Sequence, residues 1–132
     1  MKNNGEISLD PNNWDEIRKL GYQSIDLMIE YLSNIEHNKV WKPIPPKTKE
    51  YFSSSIPLKP QSTNEIFDDF INNILPYPSG NIHPRFWGFV KGTGTPTGAI
   101  AELLATTMNS NTGGGEHIAN YVELQIIEWA KE

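Results

Sequence analysis

Seven residues of this chain, 83–89, concentrate an imidazole, a guanidinium and three aromatic rings in the order His-Pro-Arg-Phe-Trp-Gly-Phe. Aromatic rings interleaved with a few polar groups are typical of a ligand pocket, where rings bind the body of a ligand and polar groups orient it. A hydrophobic plug between two domains explains the same spacing and is slightly favoured by it. Residue types alone therefore leave both interpretations open.

Other candidate groups for chemistry are sparse. His37, His83 and His117 have no histidine four residues away and no carboxylate pattern around them, so no metal site is predicted. The chain has no cysteine, which excludes disulfides, thiolate metal sites and cysteine nucleophiles. Four glutamates fall on predicted helices, where solvated carboxylates are the default: Glu102, Glu116, Glu123 and Glu128.

Two glycine-rich segments could approach a phosphate. The run from Gly92 to Gly98 fails the dinucleotide pattern by one position and lacks the Gly-Lys-Ser/Thr of a phosphate loop, so a turn before a helix is favoured. Residues 113–115, three glycines before a helix, could present N–H groups to an anion. Glu116 would repel that anion, and close backbone approach or a mobile loop is the simpler interpretation.

Composition limits the function further. The 132 residues suit one modest domain, and 11 Lys+Arg against 16 Asp+Glu give a net charge of −5. This balance argues against proteins that bind nucleic acids or anionic membranes through a basic face. No apolar run is long enough to span a bilayer, and the first residues lack a secretory signal, so we expect a soluble, cytoplasmic protein.

The first predicted element is a long helix that starts at Asp10 and Pro11 and extends to about Ile35, after a loose segment 1–9. Its second half is apolar around most of its circumference. A helix with so narrow a polar stripe packs on more than one side, and we expect the second side to contact another subunit.

A proline-rich strap is predicted over residues 38–61, because its prolines oppose a regular helix. Its expected apolar anchors are Trp41, Ile44, Ile56 and Leu58. Ser62 and Glu65 then form a capping-box pattern that predicts a helix up to Leu75-Pro76.

The remaining chain predicts a short extended run and two helices. Phe86, Trp87, Phe89 and Val90 suit the extended run. Thr95-Pro96 predicts the start of a helix to Met108, and a flexible loop at 109–115 precedes a last helix that carries Ile118, Val122, Ile126 and Trp129. That helix has no stop signal and is predicted to continue to Glu132, as expected of a truncated chain.

From residue 81 onward the sequence resembles the N-terminal part of the group II pyridoxal-phosphate-dependent amino acid decarboxylases, the family of aromatic-L-amino-acid, tyrosine, histidine and glutamate decarboxylases. The matching marks are His83-Pro84-x-Phe86, the spacing of Gly92, Pro96 and Gly98, the segment 101–104, Asn109-x-Asn111, and the helix from Val122-Glu123 to Glu128-Trp129. The long helix, the strap and the second helix match the family in order, so the resemblance covers the chain from about residue 11.

The resemblance implies a mainly α structure. Residues 1–80 would form an N-terminal helical layer that clasps the partner of a homodimer, and 81–132 would begin a large pyridoxal-phosphate-binding domain of the type I aminotransferase-like α/β fold. The rest of that domain is missing here. The intact protein would be a lyase of amino acid and carboxylic acid metabolism that releases CO₂ from an L-amino acid.

The resemblance also implies the site residues. Those after the His-Pro-x-Phe signature would line the substrate side-chain pocket, and the 109–113 loop would reach the site of the other subunit. The substrate-binding residues implied are His83, Phe86, Phe89, Val90, Lys91, Gly92, Asn109, Asn111 and Gly113.

No residue of this chain receives a catalytic, cofactor-binding or metal-binding role. In the family, the lysine that binds the cofactor covalently and the histidine and aspartate at its ring lie beyond this region, and none of the nine lysines here has a matching context. We therefore expect the chain alone to be inactive. Thr112 and Gly113–Gly115 replace bulky residues of the aromatic-amino-acid relatives, which disfavours an aromatic substrate. The alternative is a non-catalytic helical interaction module derived from such an enzyme.

Overall fold

The computed structural model describes Ser8 and residues 10–132, and over this range it contains helices and no strand. The helices are α1 (Trp14–Ser33), α2 (Pro46–Tyr51), α3 (Thr63–Asp69), α4 (Pro96–Met108) and α5 (Ile118–Trp129), with a 3₁₀ turn at Ile35–His37 and a π turn at Phe70–Ile74. The prediction of a mainly α structure is confirmed. The loose segment predicted at 1–9 lies, apart from Ser8, outside the described residues.

Helix α1 begins later than the sequence predicted. Its N-cap is Asn13 and not Asp10, because the Asn13 side chain accepts a hydrogen bond from the Asp15 N–H at 3.0 Å. The Asn13 amide also donates to Glu16 at 3.1 Å, which fixes the cap from both sides. Asp10 and Pro11 precede the helix. The prediction of Asp10 as the cap was wrong because a second capping residue lies next to the first turn.

The apolar surface of α1 is only partly covered. None of its residues is buried, and Trp14, Tyr22 and Ile29 are exposed on it. The side chains that are half-buried lie mostly toward its end: Leu20, Ile25, Leu27, Met28, Tyr31 and Leu32. The helix therefore has apolar area left over after packing within its own unit.

The proline-rich strap contains a short helix that the sequence analysis excluded. Pro46 occupies the first turn of α2, where a missing N–H costs nothing, and the next proline is Pro57, so the residues between them can form helical turns. Thr48 in this helix is buried, with 8% of its surface exposed. The four expected anchors are all exposed in this structure: Trp41, Ile44, Ile56 and Leu58.

Helix α3 begins with the predicted capping box. The Glu65 N–H donates to the Ser62 hydroxyl, while the Glu65 carboxylate accepts from the Ser62 N–H at 2.7 Å and from its hydroxyl at 2.8 Å. These two bonds lower the pKa of Glu65 below its usual value. At the other end the Leu75 N–H donates to Phe70 O at 2.8 Å, closing the π turn, and Pro76 has no N–H to continue it.

Contacts divide the chain into two units, the first ending at Thr93 and the second comprising Gly94–Glu132. In the second unit Thr95 caps α4 as predicted, accepting from the Gly98 N–H at 3.0 Å. Helix α5 ends at Trp129, and residues 130–132 form a final turn, so the prediction of a helix through Glu132 was three residues too long. The boundary between residues 80 and 81, implied by the resemblance, stays a prediction.

No apolar side chain is fully buried in the part of the chain that the structure describes. The buried positions are Thr48, Gly80 and His83. Two of these three positions, Gly80 and His83, belong to the segment that contacts the residues at the 3₁₀ turn and just after it. The candidate site is attached to this segment.

Candidate functional site

The implied site residues fall into both units. His83, Phe86 and the run from Phe89 to Gly92 belong to the first, and Asn109, Asn111 and Gly113 belong to the second. Each group is built by different local contacts.

His83 has a supporting role in the first unit. The residue is 3% exposed, and its Nδ1 accepts a hydrogen bond from the Arg85 N–H at 3.0 Å. The proton of the neutral ring therefore lies on Nε2, which donates to the Asn38 carbonyl oxygen at 3.0 Å. Both ring nitrogens are used by the backbone.

Two further contacts join the same segments. The Arg85 guanidinium donates to the Glu36 carbonyl oxygen at 3.2 Å. Gly80 has φ +83°, and a Cβ built on it would lie 2.1 Å from the Val40 carbonyl oxygen. We call this set of contacts the latch: His83 and Arg85 bound to the carbonyl oxygens of Asn38 and Glu36, with Gly80 packed on Val40.

The aromatic run beyond the latch is open. Phe86 is half-buried and lies under Gly88, where a Cβ would be 2.7 Å from the Phe86 ring. Trp87, Phe89 and Val90 are 90%, 80% and 107% exposed, so the first unit encloses none of them. The predicted extended run does not form a strand, because no neighbouring strand in the described residues offers hydrogen-bond partners.

The remaining residues of this group are exposed but positioned. The Lys91 ammonium lies 5.8 Å from the centre of the Phe89 ring, within cation–π range. The Asn81 side-chain amide donates to the Gly92 carbonyl oxygen at 3.1 Å, so the residue that follows the aromatic run is hydrogen-bonded to a residue that precedes it. Phe89 to Gly92 thus project from a loop that is anchored at both ends.

The loop of the second unit is also held by specific hydrogen bonds. Asn109 ends α4 in the left-handed conformation, with φ +47°. The Asn111 side chain accepts from the Gly113 N–H at 2.8 Å, and His117 Nε2 donates to the Asn111 carbonyl oxygen at 2.9 Å. The predicted flexible loop is therefore folded around Asn111 in this structure.

Two polar atoms under this loop lack partners within the described residues: Nδ1 of His117 and Oδ1 of Asn120. The Asn120 amide nitrogen donates to the Gly115 carbonyl oxygen at 2.8 Å, and Gly115 has φ +72°. The Tyr121 hydroxyl donates to Glu116 at 2.8 Å, so this carboxylate at the end of the loop is bound to the first turns of α5.

Sequence analysis missed Asn38, Glu36 and Val40 as parts of the latch. All three contribute backbone carbonyl oxygens, which carry no side-chain signal in a sequence. The only available signal was the Pro-Ser-Gly turn at 78–80, since a glycine after such a turn often has positive φ.

The described residues do not form a site for pyridoxal phosphate or a metal ion. The cofactor needs a lysine amine in an enclosed site, and the lysines placed by the structure are exposed, except for half-buried Lys42 on the first unit. Over the same residues, no three His, Asp or Glu side chains are grouped to hold a metal. No helix among them is long and apolar enough to cross a membrane.

The known proteins that this chain is similar to are amino acid decarboxylases. The chain is 28% identical over 109 residues to tyrosine decarboxylase 1 of Narcissus pseudonarcissus, covering 82% of this chain and 21% of that protein. It is 28% identical over 123 residues to an aromatic-L-amino-acid decarboxylase of Bacillus atrophaeus, covering 89% of this chain and 25% of that protein. No family model matches the chain.

The fold has a solved counterpart. A crystal structure of Catharanthus roseus tryptophan decarboxylase in complex with L-tryptophan superposes with a TM-score of 0.61 at 24% identity, over 77% of this chain and 22% of that one. The chain is thus similar to the N-terminal part of decarboxylases of the group II pyridoxal-phosphate-dependent type. It spans about a fifth to a quarter of the length of the decarboxylases that it matches.

Proposed function

We propose that this chain is the N-terminal fragment of a pyridoxal-phosphate-dependent L-amino acid decarboxylase, and that it supplies dimer contacts and one wall of the substrate pocket. The single observation that carries the proposal is the match of 77–98% of the chain to decarboxylases of which it covers only 20–26%. A lyase of this family needs cofactor-binding groups that the described residues do not provide. The fragment alone is therefore inactive.

The exposed apolar face of α1 supports the dimer contact. Trp14, Tyr22 and Ile29 are 65%, 64% and 52% exposed, although burying a large apolar side chain is worth about 1.5–3 kcal/mol. A second subunit of a homodimer would recover this free energy. The exposed strap residues Ile56 and Leu58 are available to the same partner.

The open aromatic run supports the pocket wall. Phe89, Val90 and Lys91 project from a loop that the latch and Asn81 hold in place, which is the arrangement of a rigid scaffold presenting ligand contacts. In the intact enzyme these residues and Gly92 contact the substrate side chain, while Asn109, Asn111 and Gly113 reach the partner's site. His83 positions the run through the latch, and Phe86 packs beneath it.

The substrate class is an aromatic L-amino acid. The support is that the matched decarboxylases include those named for tyrosine, tryptophan and aromatic L-amino acids. Phe89 offers an aromatic ring for stacking. The small residues Thr112 and Gly113–Gly115 disfavour an aromatic substrate on sequence grounds, and the proposal rests on the named relatives against that indication.

Two assays test the proposal. The purified 132-residue chain, supplied with pyridoxal phosphate and a panel of L-amino acids, should release no CO₂, and catalytic turnover would overturn the assignment of an inactive fragment. In the Bacillus atrophaeus decarboxylase, the matched N-terminal region is replaced by this chain. We expect the chimera to decarboxylate aromatic L-amino acids, and Phe89→Ala to raise KM while Lys59→Gln, on the exposed strap, leaves KM unchanged.

The chimera also separates the two roles. If it forms a dimer and binds the cofactor but Phe89→Ala does not change KM, the pocket-wall role is wrong. If it binds no partner subunit, the dimer contact is wrong. The alternative, a non-catalytic interaction module, predicts a native 132-residue protein that binds a decarboxylase without being part of its chain.

A further inference from the structure

A cavity of about 210 Å³ lies beside the latch in the first unit, between the end of α1 and the segment 75–83. Its floor and walls are mainly apolar and include Ile35, Val40, Leu75 and Ile82. Pockets for drug-sized ligands begin at roughly 300 Å³, so this cavity suits a smaller molecule of about ten non-hydrogen atoms. The aromatic run from Phe89 to Gly92 takes no part in it.

The charges of the cavity have one sign. Lys39 and Lys42 line it, and no aspartate or glutamate does, although the whole chain carries a net charge of −5. Lys42 is half-buried and Lys39 is exposed. Two ammonium groups at an apolar cavity attract an anion and repel a cation.

A third polar group lines the cavity. Tyr31 is half-buried, and burial raises the pKa of its hydroxyl above the usual value, so the group stays a neutral O–H donor. Within the described residues this hydroxyl makes no hydrogen bond, whereas the His83 ring, also in the wall, has both nitrogens engaged. The lining side chains that can donate to a ligand are therefore Tyr31, Lys39 and Lys42, and the Asn38 amide lies in the same wall.

We propose that this cavity binds a small monocarboxylate with an apolar body. The carboxylate lies at Lys39 and Lys42, with the Tyr31 hydroxyl as a further donor. The apolar body packs on Ile35, Val40 and Ile82. Such a site lies outside the proposed substrate wall and needs neither pyridoxal phosphate nor a decarboxylase activity, so it stands or falls separately from the proposed function.

The test titrates phenylacetate, a monocarboxylate of the required size, into the ¹⁵N-labelled 132-residue chain. We expect saturable amide shifts at Ile35, Val40 and Ile82, with a Kd on the order of 1 mM because the ligand is small. Phenethylamine has a similar shape and the opposite charge, and it should produce no saturable shift at these amides. Equal binding of the two probes, or shifts that do not saturate, would overturn the proposal.

Variants locate the site. The double substitution Lys39→Gln and Lys42→Gln should weaken phenylacetate binding by roughly tenfold or more, since it removes both charged partners of the carboxylate. Lys59→Gln changes the net charge by one unit but lies outside the cavity, and it should leave the Kd within about twofold. Unchanged affinity in the double variant, with the cavity amide spectrum preserved, would contradict a carboxylate site here.

Discussion

His83 belongs to the motif that carries the resemblance, and in this structure both of its ring nitrogens hydrogen-bond to backbone groups of its own unit. It accepts from the Arg85 N–H and donates to the carbonyl oxygen of Asn38, which lies 45 positions before His83 in the sequence. An imidazole suits this task because its neutral form has one donor and one acceptor on opposite sides of a rigid ring. The residue type follows from the two backbone groups that it must satisfy.

Removing that ring should open the latch. His83→Ala leaves the Asn38 carbonyl and the Arg85 N–H without their partner, at a cost of about 1–3 kcal/mol for buried groups. We expect faster amide exchange at Arg85 and weaker protection around residues 80–86. His37→Ala, at an exposed side chain, is the control and should leave these rates unchanged. Unaltered exchange at Arg85 in the first variant would contradict the latch.

Gly80 should tolerate no side chain. Its φ of +83° is unfavourable for other residues, and a Cβ would lie 2.1 Å from Val40 O, so Gly80→Ala must displace the backbone. Gly94→Ala is the matched control, because nothing lies within 4 Å of its Cβ position. Amide spectra of residues 36–42 should change strongly for the first variant only. Similar spectra for both would mean that Gly80 and Val40 are not in contact.

At the scale of elements, caps were the most predictable feature. Ser62 with Glu65, and Thr95 before Pro96, form the bonds that their spacing predicts, because a cap depends on neighbours within four residues. The prediction of Asp10 as an N-cap was wrong because Asn13, a second capping residue, is the N-cap of the same helix. The prediction of no helix in the strap was wrong because proline is excluded only from helical positions whose backbone N–H must donate a hydrogen bond, and Pro46 lies in the first turn of α2.

The capping box of α3 should respond to acid. Bonds from Ser62 lower the pKa of Glu65, so the stabilisation is present above about pH 4.3, the unfolded-state value, and is lost as the pH falls through the lower folded pKa. The Cα chemical shifts of residues 63–69 should move toward coil values over that interval. Glu65→Gln should abolish this acid transition, and a transition that persists in the variant would assign it to another group.

A separate prediction concerns the Ser62 hydroxyl, which accepts the Glu65 N–H in the same capping box. Ser62→Ala should destabilise α3 by about 1 kcal/mol, since the Glu65 N–H loses its acceptor. Ser55→Ala, in the exposed strap, is the control. The measurement is the helical chemical shift of residues 63–69, and equal shifts in the two variants would show that the cap contributes nothing.

At the scale of the whole molecule, short-range sequence patterns do not determine which apolar faces of the helices become buried. The apolar periodicity predicted α1, α3, α4 and α5 but not α2, and in the described residues the helices leave large apolar side chains exposed, among them Trp14, Tyr22 and Ile29. In the proposed function such faces are covered by polypeptide outside this sequence or by a second subunit. Neither can be read from helix spacing, so the dimer contact and the site residues remain predictions.

The exposed faces should make the isolated chain associate. Trp14 and Ile29 lie on α1 and are more than half exposed, so contact between copies recovers apolar burial. Light scattering should show a mass above 15.0 kDa that rises with concentration. Trp14→Gln with Ile29→Gln should reduce this association, while Lys19→Gln should not. A sharp monomeric peak with a cooperative melt would contradict the proposed contact face.

The most direct test of the central claim is the intact mass and activity of the native protein, captured from its source with an antibody raised against residues 62–80. The account predicts a polypeptide about four to five times heavier than 15.0 kDa, since the chain spans about a fifth to a quarter of its relatives. That protein should contain pyridoxal phosphate and release CO₂ from an aromatic L-amino acid. A native species of 15.0 kDa, or a longer one without this activity, would contradict the account.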